Sequence, residues 1–277
     1  MPDSMAGYPL LSMLHQTDNY TVWRAYDSQN HRDVVIKAIT PSVKRLKRAL
    51  QGLEREARMG LKLYHRNLVR FESFAIDGLK SYLVMEFVAG KPISTWLNEN
   101  PARRVELKRL LVEAVDALAY IHEQGFVHRD VKPANILVNE NAELKIIDFS
   151  ISVKAGFDYR SLVRTRPKIS GTRDYMAPEQ VLGRRTDAQT DIYGLGATMY
   201  ELFAGRPPFH MDDSKKSMQQ HLTQMPRPVR SLNQKITSDA GELIMAMLAK
   251  RPQDRPAGMR QVGKILQNIE LFSDLGP

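Results

Sequence analysis

His128-Arg129-Asp130-Val131-Lys132-Pro133-Ala134-Asn135, followed by Ile136-Leu137-Val138 and then Ile147-Asp148-Phe149, is the stretch of this 277-residue chain that decides its reading. It gathers two carboxylates, an amide and a lysine between short apolar runs. Asn135 and Asp148 are oxygen ligands of the kind a hard cation such as Mg2+ prefers. Asp130 and Lys132 set a carboxylate and a positive charge two residues apart. The bland alternative is an Asp-rich loop that merely caps helices. Eight residues in this order, with an apolar-flanked Asp148 thirteen positions after Asn135, argue against it.

Working outward, Val34-Val35-Ile36-Lys37 reads as a strand carrying a lysine, which by itself would be an exposed charge. Glu56 lies nine residues before His65-Arg66-Asn67-Leu68-Val69, and Glu54 is the alternative two positions away. Downstream come Gly171-Thr172-Arg173-Asp174-Tyr175-Met176-Ala177-Pro178-Glu179, then Asp191-Ile192-Tyr193-Gly194-Leu195-Gly196, then Arg251-Pro252-Gln253-Asp254-Arg255-Pro256. Together these segments resemble the signature set of the eukaryotic-like Ser/Thr protein kinase family. The likeness runs from about Tyr8 to Leu271, and the general texture is similar to bacterial members. Small-molecule phosphotransferases with related lobes keep the Asp…Asn…Asp triad but usually lack the Ala-Pro-Glu segment and its arginine partner.

The resemblance implies an α+β, bilobal fold in a single kinase domain over residues 1–277. A small lobe of antiparallel sheet with one main helix would occupy about 1–88, a hinge about 86–91, and a larger, mostly helical lobe about 92–277. It also implies roles. Asp130 would orient the acceptor hydroxyl and take its proton, and Lys132 would place charge on the transferring group. Lys37, paired with Glu56, would hold phosphates, while Asn135 and Asp148 would hold Mg2+, with Mn2+ as an alternative. Adenine would lie between Val22 and Leu137, lined by Leu14 and Val35, against the backbone of Glu86 and Val88, with Met85 as gatekeeper. Arg255 would pair with Glu179, and Thr172 would contact Asp130 and Lys132. The implied activity is transfer of the γ-phosphate of ATP to protein hydroxyls, Lys132 favouring Ser/Thr, with autophosphorylation. A nucleotide-binding pseudokinase scaffold is the first alternative, and a small-molecule phosphotransferase the second.

Several positions depart from the family pattern. Counting back from Val22, the three glycines of the phosphate-covering loop fall on His15, Thr17 and Tyr20. Glycine there lets backbone N–H groups approach phosphate without a Cβ in the way. The expectation is weakened ATP affinity, with Asp18 brought toward the triphosphate and side-chain donors from Thr17 or Tyr20 partly replacing backbone ones. Ser150 stands where the family has a glycine that supports positive φ. Gly60 stands where it has an apolar residue, leaving a gap for Met59 or Phe71. Val35 replaces the usual alanine.

Arg129 before Asp130 implies control by a phosphate on the activation segment, with Thr165 the first candidate and Ser161 and Ser170 the others. Ala134 and Pro92 stand where kinases of basic peptides often carry glutamate. With a net charge of +9, this favours acidic over basic protein substrates. A dimer would serve trans-autophosphorylation. Much of the basic excess lies between Pro41 and Phe71, where Lys44, Arg45, Lys47, Arg48, Arg55, Arg58, Lys62, Arg66 and Arg70 face only Glu54 and Glu56. At helical spacing this reads as a solvated face rather than a nucleic-acid surface. Cysteine is absent, removing disulfides and thiolate chemistry. No apolar run is long enough to span a bilayer, and Met1 to Leu14 lacks the pattern of a secretory leader, so a cytoplasmic setting is expected.

Periodicity predicts strands at Leu10–Leu14, Thr21–Tyr26, Asp33–Ile39, Leu68–Ile76 and Ser81–Phe87. It predicts one amphipathic helix over 43–64, with Leu46, Leu50, Leu53, Ala57, Leu61 and Tyr64 on its apolar face. After Gly90 it predicts helices at Val105–His122, Thr190–Ala204 and Ser238–Ala249.

Overall fold

Strict alternation shapes the first sheet. Along β3 (Tyr20–Asp27), Thr21, Trp23, Ala25 and Asp27 are buried, while Tyr20, Val22, Arg24 and Tyr26 are half-buried. In a strand this sends two residue sets to opposite faces. The computed structural model describes residues 4–156, 172–209 and 214–273, and the chain divides into two compact units, Met1–Ala89 and Gly90–Pro277.

In the first unit, β1 (Ser4–Met5), β2 (Tyr8–Gln16), β3, β4 (Arg32–Ile39), β5 (Phe71–Ala75) and β6 (Tyr82–Glu86) form an antiparallel sheet in the order β1-β2-β3-β4-β6-β5. Ala25, Val34, Ile36, Ala38 and Val84 make the core of one face, with Met5, Tyr8, Leu10 and Tyr82 packed against it. On the other face, Val22 pairs with Lys37 and Lys37 with Leu83. In the neighbouring row Arg24 pairs with Val35 and Val35 with Met85. Directly paired residues share a face, so Val22, Val35, Lys37 and Met85 look the same way. Leu14 falls at a register shift between Met13 and His15 and is 48% exposed.

The main helix, α1 (Leu46–Gly60), is shorter than periodicity predicts. Its buried stripe is Ala49, Leu53, Glu56, Ala57, Met59 and Gly60. Leu61 and Tyr64 lie past its end and are 42% and 79% exposed. Sequence period alone counts them as apolar because it cannot see that the chain has left the helix. Lys44, Arg45, Lys47, Arg48, Arg55, Arg58 and Lys62 are exposed.

The second unit is built on α5 (Ala188–Ala204). Asp187 caps it by accepting the Gln189 N–H, Gly205 ends it at φ +74°, and Thr190 through Tyr200 are all buried. Two glycines allow this. A Cβ on Gly194 would lie 3.1 Å from the Val131 carbonyl oxygen, and one on Gly196 would lie 2.8 Å from the Met247 Cβ. Against it packs α7 (Ser238–Met247), while α3 (Leu107–Glu123), entered through a 3-10 turn at Pro101–Glu106, packs with α8 (Met259–Asn268). Periodicity did not delineate α2 (Ile93–Glu99), α4 (Pro178–Val181), α6 (Ser214–Thr223) or α8, none of them longer than ten residues. Two small sheets complete the unit: β7 (Gly90–Pro92) with β9 (Ile136–Asn139) and β10 (Leu144–Ile146), and β8 (Phe126–Val127) with β11 (Val153–Lys154). No described helix is long and apolar enough to cross a membrane.

Candidate functional site

In the first unit, β4 presents Lys37 to α1. Its Nζ lies 2.9 Å from Oε1 and 2.7 Å from Oε2 of Glu56, and both residues are buried. Glu54, the alternative partner, instead pairs with Arg58 one turn along the exposed side of the helix. Two removed from Glu56, it points away from the sheet.

The turn between β2 and β3 differs from the expectation for it. Thr17 N–H donates to the Tyr20 carbonyl at 2.8 Å, and the Thr17 hydroxyl accepts from the N–H groups of Asn19 and Tyr20 at 3.3 and 3.0 Å. Thr40 fastens the turn from outside, its N–H on the Asn19 carbonyl and its hydroxyl on the Thr17 carbonyl. The Tyr20 hydroxyl donates to the Ala49 carbonyl at 2.8 Å. Thr17 and Tyr20 are therefore not spare donors aimed at a phosphate. Their polar atoms close the turn and tie it to α1.

The gap at Gly60 is filled by Phe71. A Cβ on Gly60 would lie 2.4 Å from the Phe71 ring, so the missing side chain makes room for an aromatic one from β5.

In the second unit, the loop after β8 converges on Asp130. Its Oδ2 accepts from Lys132 Nζ at 2.7 Å and Asn135 Nδ2 at 3.0 Å. Its Oδ1 accepts from the Thr172 hydroxyl and N–H, each at 3.0 Å. Lys132 also reaches Thr172 Oγ1 at 2.5 Å, as the resemblance implied. Asn135 carries a second bond, from Nδ2 to the Asp130 carbonyl at 2.8 Å, and its own carbonyl accepts the Ile147 N–H at 2.9 Å. That last bond joins the Asp130 loop to the Asp148 segment.

Asp191 and His128 supply the frame, and sequence reasoning gave neither a role. Asp191 is fully buried in the first turn of α5 and accepts the backbone N–H groups of His128 and Arg129 at 2.8 and 2.7 Å, plus His122 Nε2 at 2.8 Å. Burial pushes its carboxyl up, but His122, His128 and the Arg129 N–H outweigh this and hold it below the ordinary aspartate value. The charged acceptor fixes Arg129 at φ +70°, a conformation costing on the order of 1–3 kcal/mol for a non-glycine residue. His128 Nδ1 accepts the Asp130 N–H at 3.3 Å, so Nε2 donates to the Ile147 carbonyl at 3.2 Å; its ring packs on Phe149. The sequence signal for Asp191 was a second carboxylate just before an apolar run, in the first turn of a helix already capped by Asp187.

At the Ser150 departure, the positive φ belongs to Asp148, at +65°, and not to Ser150. Ser150 gives its N–H to Asp148 Oδ1 at 3.2 Å, so glycine is not required there. The Ala-Pro-Glu end is held as expected: Arg255 reaches Glu179 at 2.8 and 3.0 Å, and Gln180 Nε2 donates to the Arg129 carbonyl at 2.9 Å. Thr165, Ser161 and Ser170 lie outside the described residues. Val22, Val35, Met85 and Glu86 lie on the first unit's sheet and Val88 just after β6, all but Met85 half-buried; Leu137 is half-buried in β9 of the second unit.

The chain belongs to the protein kinase domain family, which matches residues 18–267. Its relatives include the serine/threonine-protein kinases PknB of Mycobacterium leprae, 33% identical over 236 residues, and PknB of Mycobacterium tuberculosis, 32% identical over 236 residues. Each match covers 83% of this chain and 38% of the relative. The serine/threonine-protein kinase PksC of Streptomyces coelicolor is 31% identical over 257 residues, 90% of this chain and 46% of that protein. The chain thus spans less than half the length of these relatives. The family works with ATP, a divalent metal and protein substrates.

Proposed function

We propose that this chain is a single protein kinase domain that transfers the γ-phosphate of ATP to serine and threonine hydroxyls of proteins, itself included. The observation that carries this reading is the set of donors around Asp130: Lys132, Asn135 and Thr172 hold both carboxylate oxygens in one orientation. A carboxylate fixed in this way serves as general base. The acceptor hydroxyl oxygen forms the new bond to γ-phosphorus, the bond from γ-phosphorus to the β,γ-bridging oxygen breaks, and the hydroxyl proton passes to Asp130. Lys132 sets a positive charge beside the transferring group, and Lys37, oriented by Glu56, meets the other phosphates.

The donor set fits a divalent cation of the Mg2+ type, with Mn2+ as an alternative. Asn135 has its amide nitrogen on Asp130, which leaves its oxygen for a cation alongside the Asp148 carboxylate. Among the described residues no group of three or more His, Asp or Glu side chains gathers, which suits an ion that shares phosphates and waters with a few protein oxygens. Such an ion supplies charge neutralisation on the phosphates.

Leu14, Val22, Val35, Met85, Glu86, Val88 and Leu137 are proposed to receive adenine. Arg129 would answer a phosphate on Thr165, Ser161 or Ser170. Acidic substrates fit the +9 charge and the exposed Ala134, and a dimer would permit trans-autophosphorylation. The absence of cysteine suits a cytoplasmic setting.

The test is mass spectrometry after incubation with Mg-ATP, beside Asp130→Asn and Asp148→Ala. The expected result is phosphate on wild type and on neither variant. The turn whose N–H groups at Thr17, Asn19 and Tyr20 are already bonded favours one second reading, a nucleotide-binding scaffold. Titration calorimetry showing ATP bound without any phosphate transferred would select it.

A further inference from the structure

Tyr20 stands where the family pattern has the third glycine of the phosphate loop, and its side chain leaves that loop for the helix. Its hydroxyl donates to the Ala49 carbonyl at 2.8 Å, and its ring lies 5.1 Å from Lys37 Nζ. Burial raises the phenol above the ordinary tyrosine value, so it stays protonated and donates at neutral pH. Gly52, one turn after Ala49, forms the socket. A Cβ there would lie 2.4 Å from the Tyr20 hydroxyl oxygen but 3.7 Å, an ordinary contact, from the ring carbon that bears it.

Ala49 and Glu56 are seven residues apart and both belong to the buried stripe of α1. That is two turns on one face, about 10 Å along the axis. Tyr20 holds the helix at the first point and Lys37 at the second. The anchor matters because α1 begins poorly: Arg45 at its start makes no side-chain cap bond and the first turn has no acid. Lys47 and Arg48 instead put positive charge at the positive end of the dipole. Gly52 weakens the helix interior further. The anchor itself is firmly mounted, since Thr17 and Thr40 close the turn from which Tyr20 departs.

We infer that Tyr20 is a positioning residue: it has exchanged the phosphate-loop glycine for a strut, seated in Gly52, that pins α1 so that Glu56 stays on Lys37. The function of the strut rests on the kinase reading above; its geometry does not. The loop thereby gives up close backbone approach to phosphate and gains a helix held in place from within the chain.

The test uses Tyr20→Phe, Gly52→Ala and the double variant, read by hydrogen exchange of the Leu46–Gly60 amides and by initial rates of phosphate transfer. Tyr20→Phe should speed exchange of the first two turns about fivefold, the effect of one net hydrogen bond. It should lower kcat by a similar factor with the KM for the protein acceptor unchanged. Gly52→Ala should speed exchange more, although alanine favours helices, because its methyl expels the hydroxyl. Tyr20→Phe should then suppress Gly52→Ala, with the double variant exchanging more slowly than Gly52→Ala alone. Gly52→Ala that slows exchange in the Tyr20 background, or Tyr20→Phe that changes neither exchange nor kcat, overturns the strut. Should wild type transfer no phosphate while the exchange pattern holds, the kinase reading fails and the strut stands.

Discussion

Replacing Arg255 by alanine removes a guanidinium with 0% side-chain exposure from the second unit. The fork reaches Glu179 at 2.8 and 3.0 Å and three backbone carbonyls, those of Ala249, Gln189 and Lys250, at 2.8, 2.7 and 3.3 Å. It also lies 4.9 Å from the Tyr193 ring centroid. After the substitution Glu179, with a 6% exposed side chain, keeps Thr190 Oγ1 at 3.0 Å but loses its counter-charge. Stripping one partner from a buried ion pair costs about 3–5 kcal/mol, because the remaining charge stays out of water. Native stabilities run about 5–15 kcal/mol. For a unit of this size each kcal/mol moves the midpoint by roughly 2–4 °C, so Tm should fall by roughly 6–20 °C. Thermal unfolding followed by circular dichroism measures it, at low and at high salt, because burial shields this pair from screening. Arg255→Lys should fall between the two, keeping the charge but not the fork. A drop under about 2 °C for Arg255→Ala, or one erased by salt, refutes the reasoning.

Two further outcomes rest on packing and titration. Gly60→Ala should destabilise by about 1–3 kcal/mol, since its methyl meets the Phe71 ring at 2.4 Å, and Phe71→Leu should relieve part of that loss; equal urea midpoints for wild type and Gly60→Ala would contradict it. His221 is buried with its Nδ1 2.8 Å from the Tyr193 hydroxyl, and burial together with Lys250 lowers its pKa from 6.5 to about 3. The unfolded chain therefore binds a proton that the native state refuses. Stability is full above pH 6.5 and is lost as pH falls toward 3, at about 1.4 kcal/mol per unit. Urea unfolding at pH 7 and pH 5 should show a difference about 2 kcal/mol smaller in His221→Gln, and an unchanged difference would refute it.

The clustering around Asp130 was legible because the motif sets its residue types in order along one loop. Asp130, Lys132, Asn135 and Thr172 meet as the motif implied, as do Lys37 with Glu56 and Arg255 with Glu179. Strand alternation likewise located every long strand of the first sheet. The departures were legible only as departures. Thr17 and Tyr20 looked like substitute phosphate donors because a sequence shows a hydroxyl but not its partner, and the partners are the turn itself and the Ala49 carbonyl. Ser150 looked strained because the motif puts glycine there, yet the backbone stores its positive φ at Asp148.

By itself, then, the sequence determined the family, the long strands of the first unit and the longer helices of the second, since local spacing and residue type suffice for these. Tertiary structure alone decided that Gly52 receives Tyr20, that Gly60 receives Phe71 and that Asp191 holds the backbone of His128 and Arg129. Those residues lie between eleven and sixty-three positions apart, and they come together only because hydrogen-bond satisfaction and close packing are settled in space and leave no periodic trace along the chain.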